Sequence, residues 1–372
     1  MVEIKSVETK KDLKEFINFP NRLYAGNKYR VPPLNFDEVN TLSKDKNAAF
    51  EFCDAKYWLA YKDGKVAGRI AGIINHKSIE IWGEKFVRFG WIDFIDDEEV
   101  SKALLNAVED WAKENGLVAV HGPLGFTDMD YEGMLVEGFD ELGTMATIYN
   151  FPYYPQHLEK LGYKKDVDWV EYEVKIPDSF PPKVERLAKL VMERYKLRML
   201  SIKNKKELLP YAHKIFELIN KGYKDLYGFV PLTPKQIDQY TKQYFDFIIP
   251  EYVPIIVDEN NEAVAFGITM PSLSLALQKA KGKLFPFGVI HVLKAMKKND
   301  LVDFYLTAVR PDYQDKGVNA IIMYEMNKIY WKYKIKKVET NPELELNTKI
   351  QAQWRFYENR QHKRRRCFIK HL

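Results

Sequence analysis

The sequence predicts an α/β fold built twice, and three correspondences between its halves carry that expectation. VEIKSVETKKDLKEF (Val2 to Phe16) resembles LRMLSIKNKKELLPY (Leu197 to Tyr211), with Ser6 matching Ser201 and Lys11-Asp12-Leu13 matching Lys206-Glu207-Leu208. WLAYKDGKVAGRIAGI (Trp58 to Ile73) matches PIIVDENNEAVAFGITM (Pro254 to Met270) at nearly the same offset. The third correspondence is a strand–helix–strand unit, 88–95, 98–115 and 117–121 in the first half, repeated as 302–309, 318–333 and 336–341.

Each element has a local cause. The opening segments alternate for a few residues, then take the 3.6-residue apolar period of an amphipathic helix. Asp63-Gly64 and Glu259-Asn260-Asn261 are the tight polar turns of two hairpins. A strand, a helix and a strand of these lengths favour a parallel pair joined by a crossover. Each half therefore reads strand, helix, hairpin, strand, helix, strand, helix, strand, which gives a mixed sheet with flanking helices. The prolines of Ile176 to Pro182 interrupt the periodicity, so two domains are expected, 1–177 and 183–372, with a connecting helix from Lys183 to Leu197.

Composition narrows the class. Of 372 residues, 57 are Lys or Arg and 52 Asp or Glu, a net charge of +5 that is too small and too dispersed for a nucleic-acid binder. A hydrophobic share of 46% excludes a disordered or fibrous chain. Two cysteines, Cys53 and Cys367, build neither a disulfide framework nor a Cys-x-x-Cys metal pair. The first residues lack the apolar stretch of a signal peptide, and no apolar run nears the roughly 20 residues that span a bilayer, so a cytoplasmic location is expected. Gly-x-Ser-x-Gly, His-Glu-x-x-His, Walker and Gly-x-Gly-x-x-Gly motifs are absent, and the scattered histidines point to no catalytic metal.

The informative turn runs from Ala308 to Ala320. A polar loop with Gly at a helix mouth aims unpaired N–H groups and the positive end of the dipole at one spot, which suits a phosphate; an ordinary strand-to-helix turn is the other reading. With Gln314-Asp315-Lys316-Gly317-Val318-Asn319, the loop and the order of elements resemble the GNAT superfamily of acyl-CoA-dependent N-acyltransferases and its Gln/Arg-x-x-Gly-x-Gly/Ala loop. Asn319 departs from the final Gly/Ala, with Ala320 one place later. The resemblance implies two tandem GNAT-like domains, each a mostly antiparallel mixed sheet with a splayed parallel pair. It implies that amides of Gln314, Lys316, Gly317, Val318 and Asn319 hold the CoA pyrophosphate, and that Thr307, Ala308 and Val309 grip the pantetheine arm. The family's Asn-x-x-Ala-x-x-x-Tyr falls on Asn347, Ile350 and Trp354; the tyrosine acid is missing, and Tyr357 is the substitute one helical step on. A last strand is expected over 364–370.

The first half differs. Leu158-Glu-Lys-Leu-Gly-Tyr163 resembles the end of a GNAT domain, but Ile95-Asp-Asp-Glu-Glu99 stands where the phosphate loop should be, and carboxylates there repel a pyrophosphate. One acyl-CoA site, in the second half, is expected. The long loop from His121 to Pro155 brings Asp128, Asp130, Glu132, His121 and Tyr149 forward as an acceptor-amine pocket between the halves, or as turn-stabilising Asp and core Tyr. The insertion 271–299 is apolar and lysine-flanked; it reads as helices packed on the domain, as a wall for a long acyl chain, or as a peripheral membrane contact. His362 to Arg366 reads as a solvated strand edge or an anion contact.

The activity expected is transfer of an acyl group, acetyl or longer, from acyl-CoA to a primary amine by direct attack. Glu339 is the first candidate for the base, then Asp128 and His121, with a strand N–H near Val309 meeting the oxyanion. The acceptor is a small-molecule or lipid-like amine, with no nucleic acid and no metal involved. The rival is a tandem GNAT module that has lost catalysis and holds CoA, lipid or peptide. No motif specifies the oligomeric state.

Overall fold

The computed structural model describes residues 1–180 and 182–372; the expected linker includes Pro181, which lies outside the described residues. In chain order the regular elements are β1 (Val2–Ser6), α1 (Lys10–Leu23), α2 (Asn35–Leu42), β2 (Cys53–Lys62), β3 (Lys65–Asn75), α3 (His76–Trp82), β4 (Phe86–Phe94), α4 (Glu98–Glu114), β5 (Ala119–Gly122), β6 (Met134–Glu137), α5 (Tyr153–Lys160) and β7 (Lys164–Lys175). There follow α6 (Pro182–Arg194), β8 (Arg198–Met199), α7 (Lys205–Gly222), α8 (Pro234–Tyr244), β9 (Ile255–Val257), β10 (Ala263–Pro271), α9 (Ser274–Ala280), α10 (Gly288–Lys297), β11 (Leu301–Val309), α11 (Val318–Lys332), β12 (Lys337–Thr340), β13 (Glu343–Leu344), α12 (Thr348–Gln351) and β14 (Asn359–His371).

The chain forms two compact units that are discontinuous in sequence. The first comprises residues 1–170, 273–294 and 362–372, the second residues 171–272 and 295–361. They differ from the continuous halves 1–177 and 183–372 in three places, the first being that the end of β7, from residue 171, belongs to the second unit. The end of β14 joins the first unit because it pairs antiparallel with β5, Phe368 opposite Gly122 and Lys370 opposite Val120. Most of the insertion joins it because Gln278 Nε2 donates to the carbonyls of Lys28 (2.8 Å) and Arg30 (3.0 Å), and Asn35 N–H donates to Gly282 O (2.9 Å).

In the first unit the strand order is β1-β2-β3-β4-β5-β14, with β6 on β14. Strands β4 and β5 run parallel, whereas β1–β2, β2–β3, β3–β4, β5–β14 and β6–β14 are antiparallel. Helix α4 covers one face and buries Leu104, Leu105, Val108 and Trp111 in a core with Ile70, Phe89 and Phe94. The second unit repeats the plan: β8 to β12 in the order β8-β9-β10-β11-β12, β11 and β12 parallel, and the end of β7 antiparallel to β12. Helix α11 is its crossover, burying Ile321, Ile322, Met326 and Tyr330.

Capping sets the helix starts as the residue types require. Thr9 forms a capping box with Asp12 on α1, Thr233 one with Gln236 on α8, and Asn204 accepts two N–H groups on α7. After Asn347 the chain forms only a short helix: α12 ends at Gln351 and a 3₁₀ turn, Ala352–Phe356, follows.

Candidate functional site

In the second unit the parallel pair parts. Strands β11 and β12 pair only over Leu301–Phe304 and Lys337–Thr340, and β11 runs on to Val309. Two features produce the split. Tyr305 has no opposite residue on β10, since Phe304 pairs with Thr269 and Leu306 with Ile268, and such a bulge bends its strand. Asn341, just past β12, donates its main-chain N–H to Phe304 O (3.0 Å) and its side-chain amide to Tyr305 O (3.1 Å), which ends the ladder. Beyond that point the carbonyls of Thr307 and Val309 point away from β10. They accept from side chains, Tyr223 O–H (2.8 Å) and Gln314 Nε2 (3.3 Å).

Strand β11 delivers the chain to the mouth of α11. Gly317, at φ +79°, is the N-cap, and no side chain caps the helix. Glycine is favoured there: the backbone is left-handed, and a Cβ would stand 3.3 Å from Val191 Cγ2 on α6, a tight approach. Asp315 at φ +59° and Gly317 alternate with ordinary residues, a pattern that turns successive N–H groups to one side. The main-chain N–H groups of Lys316, Gly317, Val318 and Asn319 have no acceptor among the described residues, whereas that of Gln314 closes a turn on Pro311 O (3.3 Å). The Lys316 ammonium rests over the rings of Tyr195 and Tyr313 (5.3 and 5.1 Å). Arg310 is held by Asp312 (2.7 Å).

Beside the split lies a buried acid that sequence reasoning missed. Glu343, on β13, accepts at Oε1 from the Trp354 indole (2.8 Å), and its Oε2 is buried with no partner among the described residues. Burial pushes its carboxyl up to about 8. It also helps raise the pKa of the Tyr223 hydroxyl, the group that caps Thr307, after the larger effect of burial. Trp354 stands edge-on to Phe304 (5.5 Å), the last paired residue of β11. Trp354 thus orients a carboxyl group through its indole N–H. Only the unpaired oxygen and its surroundings reveal Glu343; its sequence neighbourhood, Pro-Glu-Leu-Glu, is unremarkable.

The other second-unit candidates lie around this centre. Glu339 is buried on β12, in register between Asp303 on β11 and Glu173 on β7. Tyr357 packs in the core, where its hydroxyl accepts from Asn327 on α11 (2.7 Å), and burial raises it to about 12. Asn347 accepts from Ile350 N–H (3.4 Å) at the start of α12. Ala308 is buried on β11.

The equivalent places in the first unit are filled. Strand β4 also outruns its parallel partner, pairing only over Phe86–Arg88. Its free edge, however, is taken: Phe89 O accepts from Leu124 N–H (2.8 Å), Phe94 N–H donates to the Tyr154 hydroxyl (2.9 Å), and Phe94 O accepts from Tyr153 (2.6 Å). At the mouth of α4, Asp97 Oδ1 accepts from Glu99 N–H (3.0 Å) and Val100 N–H (3.3 Å). Lys62 pairs with Asp97 and holds its carboxyl below the usual range. The protein's own carboxylate sits where an anion would.

The residues of the long loop lie in the first unit and separate into different roles. Asp130 accepts from the N–H groups of Phe126 (2.9 Å) and Thr127 (3.1 Å) and so stabilises a turn; burial nonetheless lifts it to about 7. Glu132 is raised by burial and by Asp128 beside it. Tyr149 donates to Phe139 O (3.1 Å). His121 is buried with its pKa lowered by that burial, and its Nδ1 lies 3.9 Å from Asp166 Oδ2. With Cys367 these two make the group of metal-ligand types found among the described residues, all within 4.8 Å.

A narrow cleft also opens in this unit, bordered by Arg30, Arg69, Glu38, Trp91 and Tyr131. Arg69 donates to Asp93 (2.8 Å), while Glu38, pushed up to about 7 by burial, accepts from the Trp91 indole (3.0 Å). These residues come from distant segments, so no local signal announces them. Lys363 and Arg365 are buried, not solvated as the strand-edge reading had it: alternate residues of β14 face inward, while Arg364 and Arg366 meet Asp168 (3.2 and 2.8 Å).

No family model matches the chain. It is 29% identical over 352 residues to Protein YghO of Escherichia coli (strain K12), covering 93% of this chain and 89% of that protein. It is 27% identical over 293 residues to the bacterial ceramide synthase of Caulobacter vibrioides, covering 78% and 75%. Among solved structures it is similar to a tandem GNAT protein from the clavulanic acid biosynthesis pathway, with a TM-score of 0.55, 11% identity, and 100% and 98% of the two chains covered. It is also similar to a GCN5-related glucosamine N-acetyltransferase region of a fungal multi-domain β-N-acetylglucosaminidase, with a TM-score of 0.58 and 12% identity, spanning 38% of that longer chain. The splayed parallel pair, the glycine at the crossover mouth and the doubled plan agree with these likenesses: the chain has a tandem GNAT fold.

Proposed function

We propose that the second unit transfers an acyl group from an acyl-CoA to a primary amine by direct attack. The observation that carries this reading is the contrast between the two units. Four free N–H groups mark the mouth of α11, where α4 has Asp97, and such a mouth favours a phosphate. Lys316 to Asn319 would hold the pyrophosphate, and the open edge of β11 from Thr307 to Val309 would hold the pantetheine amides. Binding there would require Tyr223 and Gln314, which cover that edge through side chains, to turn aside.

The chemistry needs a neutral amine. Its nitrogen attacks the thioester carbonyl, the C–N bond forms, the C–S bond breaks, and the thiolate leaves and takes up a proton. Glu343, with an unpaired oxygen beside the split, is positioned to accept the amine's proton when ionised. This replaces Glu339 as our first choice, because Glu339 is enclosed between neighbouring strands.

The ceramide synthase relative favours a long acyl donor and a lipid-like amino alcohol as acceptor. Calorimetric titration of CoA into wild-type and Gly317→Trp protein tests the site: binding should be lost in the variant, and equal affinities would remove the assignment. Thiol release from acetyl-CoA and palmitoyl-CoA, scored over a panel of amines and long-chain amino alcohols, tests the activity. Tight CoA binding without thiol release under any pairing would favour the non-catalytic module.

A further inference from the structure

Segment 273–294 of the first unit turns one side inward and the other outward. Leu273, Ala276, Leu277, Ala280 and Val292 are buried. Phe285 is 79% exposed, Phe287 71%, Leu275 63% and Leu293 52%. Large apolar side chains this exposed and this close in sequence mark an interaction surface. The inward side is fixed: α9 is bonded through Gln278 to the segment carrying Arg30, and a Cβ on Gly282 would stand 2.8 Å from Pro33 O. The outward side is thus not an unpacked edge but the far face of an anchored element.

Charge identifies the partner. Residues 273–294 contain no Asp or Glu, and their four lysines, 279, 281, 283 and 294, are exposed. None is paired with a carboxylate among the described residues, whereas lysines elsewhere commonly are, as with Lys175–Glu358, Lys189–Glu185 and Lys332–Glu251. Exposed aromatics ringed by unpaired lysines complement a surface that is apolar below and negative above, the interface of an anionic bilayer. A second copy of the chain would bring lysines against lysines.

We infer that α9, α10 and the turn between them dock the first unit on an anionic lipid surface, with Phe285 and Phe287 entering the acyl boundary and the lysines meeting lipid headgroups. The same element borders the segment that carries Arg30 and Pro33 of the cleft, so docking sets the cleft beside the lipid. This excludes the acyl-chain wall as the role of the exposed side chains, since a wall would keep them covered.

The test is co-sedimentation of the whole chain, without CoA, with sucrose-loaded vesicles of phosphatidylglycerol and phosphatidylcholine or of phosphatidylcholine alone. Wild type should pellet with the anionic vesicles, weaken sharply on phosphatidylcholine, and release at high salt. Phe285→Ser/Phe287→Ser should lower partitioning at least about tenfold, and Lys281→Gln about fivefold, as expected near one elementary charge at the surface. Both variants should keep the wild-type melting temperature, because the changed side chains are exposed. Equal pelleting of wild type and the double variant, or none with either vesicle, would overturn the inference. So would a dimer in light scattering that the double variant disperses without any vesicle binding. Because CoA is absent, failure here leaves the acyl-transfer reading untouched, and failure of CoA binding leaves this one.

Discussion

Glu343 is a carboxyl group whose folded environment opposes its charge. Its folded pKa, about 8, lies above the usual value of 4.5, so the native state holds the proton more tightly than the unfolded chain. Below the unfolded value this costs nothing. As pH rises through the interval the unfolded state ionises first, and stability falls, by on the order of 3 kcal/mol at pH 7. Glu343→Gln keeps the acceptor for Trp354 and removes the charge; urea midpoints should fall between about pH 5 and pH 8 in wild type and stay flatter in the variant. If Glu343 takes the amine's proton, acyl transfer should rise with pH through about 8 in wild type. In the Gln variant kcat should drop on the order of a hundredfold with CoA affinity kept. An unchanged pH–rate profile in the variant would place the base elsewhere.

Among the elements, α4 and α11 occupy matching places and differ at their mouths. Asp97 satisfies two N–H groups of α4, so Asp97→Ala should destabilise the chain by about 1 kcal/mol in thermal melts and leave CoA affinity as it was. At α11 stability and CoA affinity should change together. Gly317→Val should abolish CoA binding, and it should also cost on the order of 1–3 kcal/mol through the left-handed backbone and the contact with Val191. Further along α11, Ile321 is completely buried, and Ile321→Ala should cost about 2–5 kcal/mol by leaving a cavity. A Gly317 variant with wild-type CoA affinity, measured by calorimetry, would separate the helix mouth from any ligand role.

Across the whole molecule, saturating CoA should slow hydrogen exchange over 305–320 and leave 94–100 unchanged, because one mouth is open and the other is closed by its own carboxylate. Much of this was legible beforehand. The doubled plan, the parallel pairs, the Gly317 loop and the acidic first-half mouth are written in periods of 2 and 3.6, in turn residues and in charge, all of which act over a few neighbours. Glu343, Tyr223 and the arginines of the cleft were not legible, because each acquires its setting from residues far off in the chain: Trp354 for Glu343, Thr307 for Tyr223, Asp93 for Arg69. The acidic residues of the long loop show the same limit: Asp128 stays close enough to Asp130 and Glu132 to raise their pKa, and it is burial in the fold, which no local pattern encodes, that raises them most. By itself the sequence determined the kind and order of the elements and which helix mouth carries carboxylates, since backbone geometry and local charge respond to adjacent side chains. Only the tertiary structure decided that the last strand and most of the insertion belong to the first unit, and which carboxyl group is left buried beside the split. Strand pairing and desolvation depend on what is brought near in space, and no local pattern encodes that.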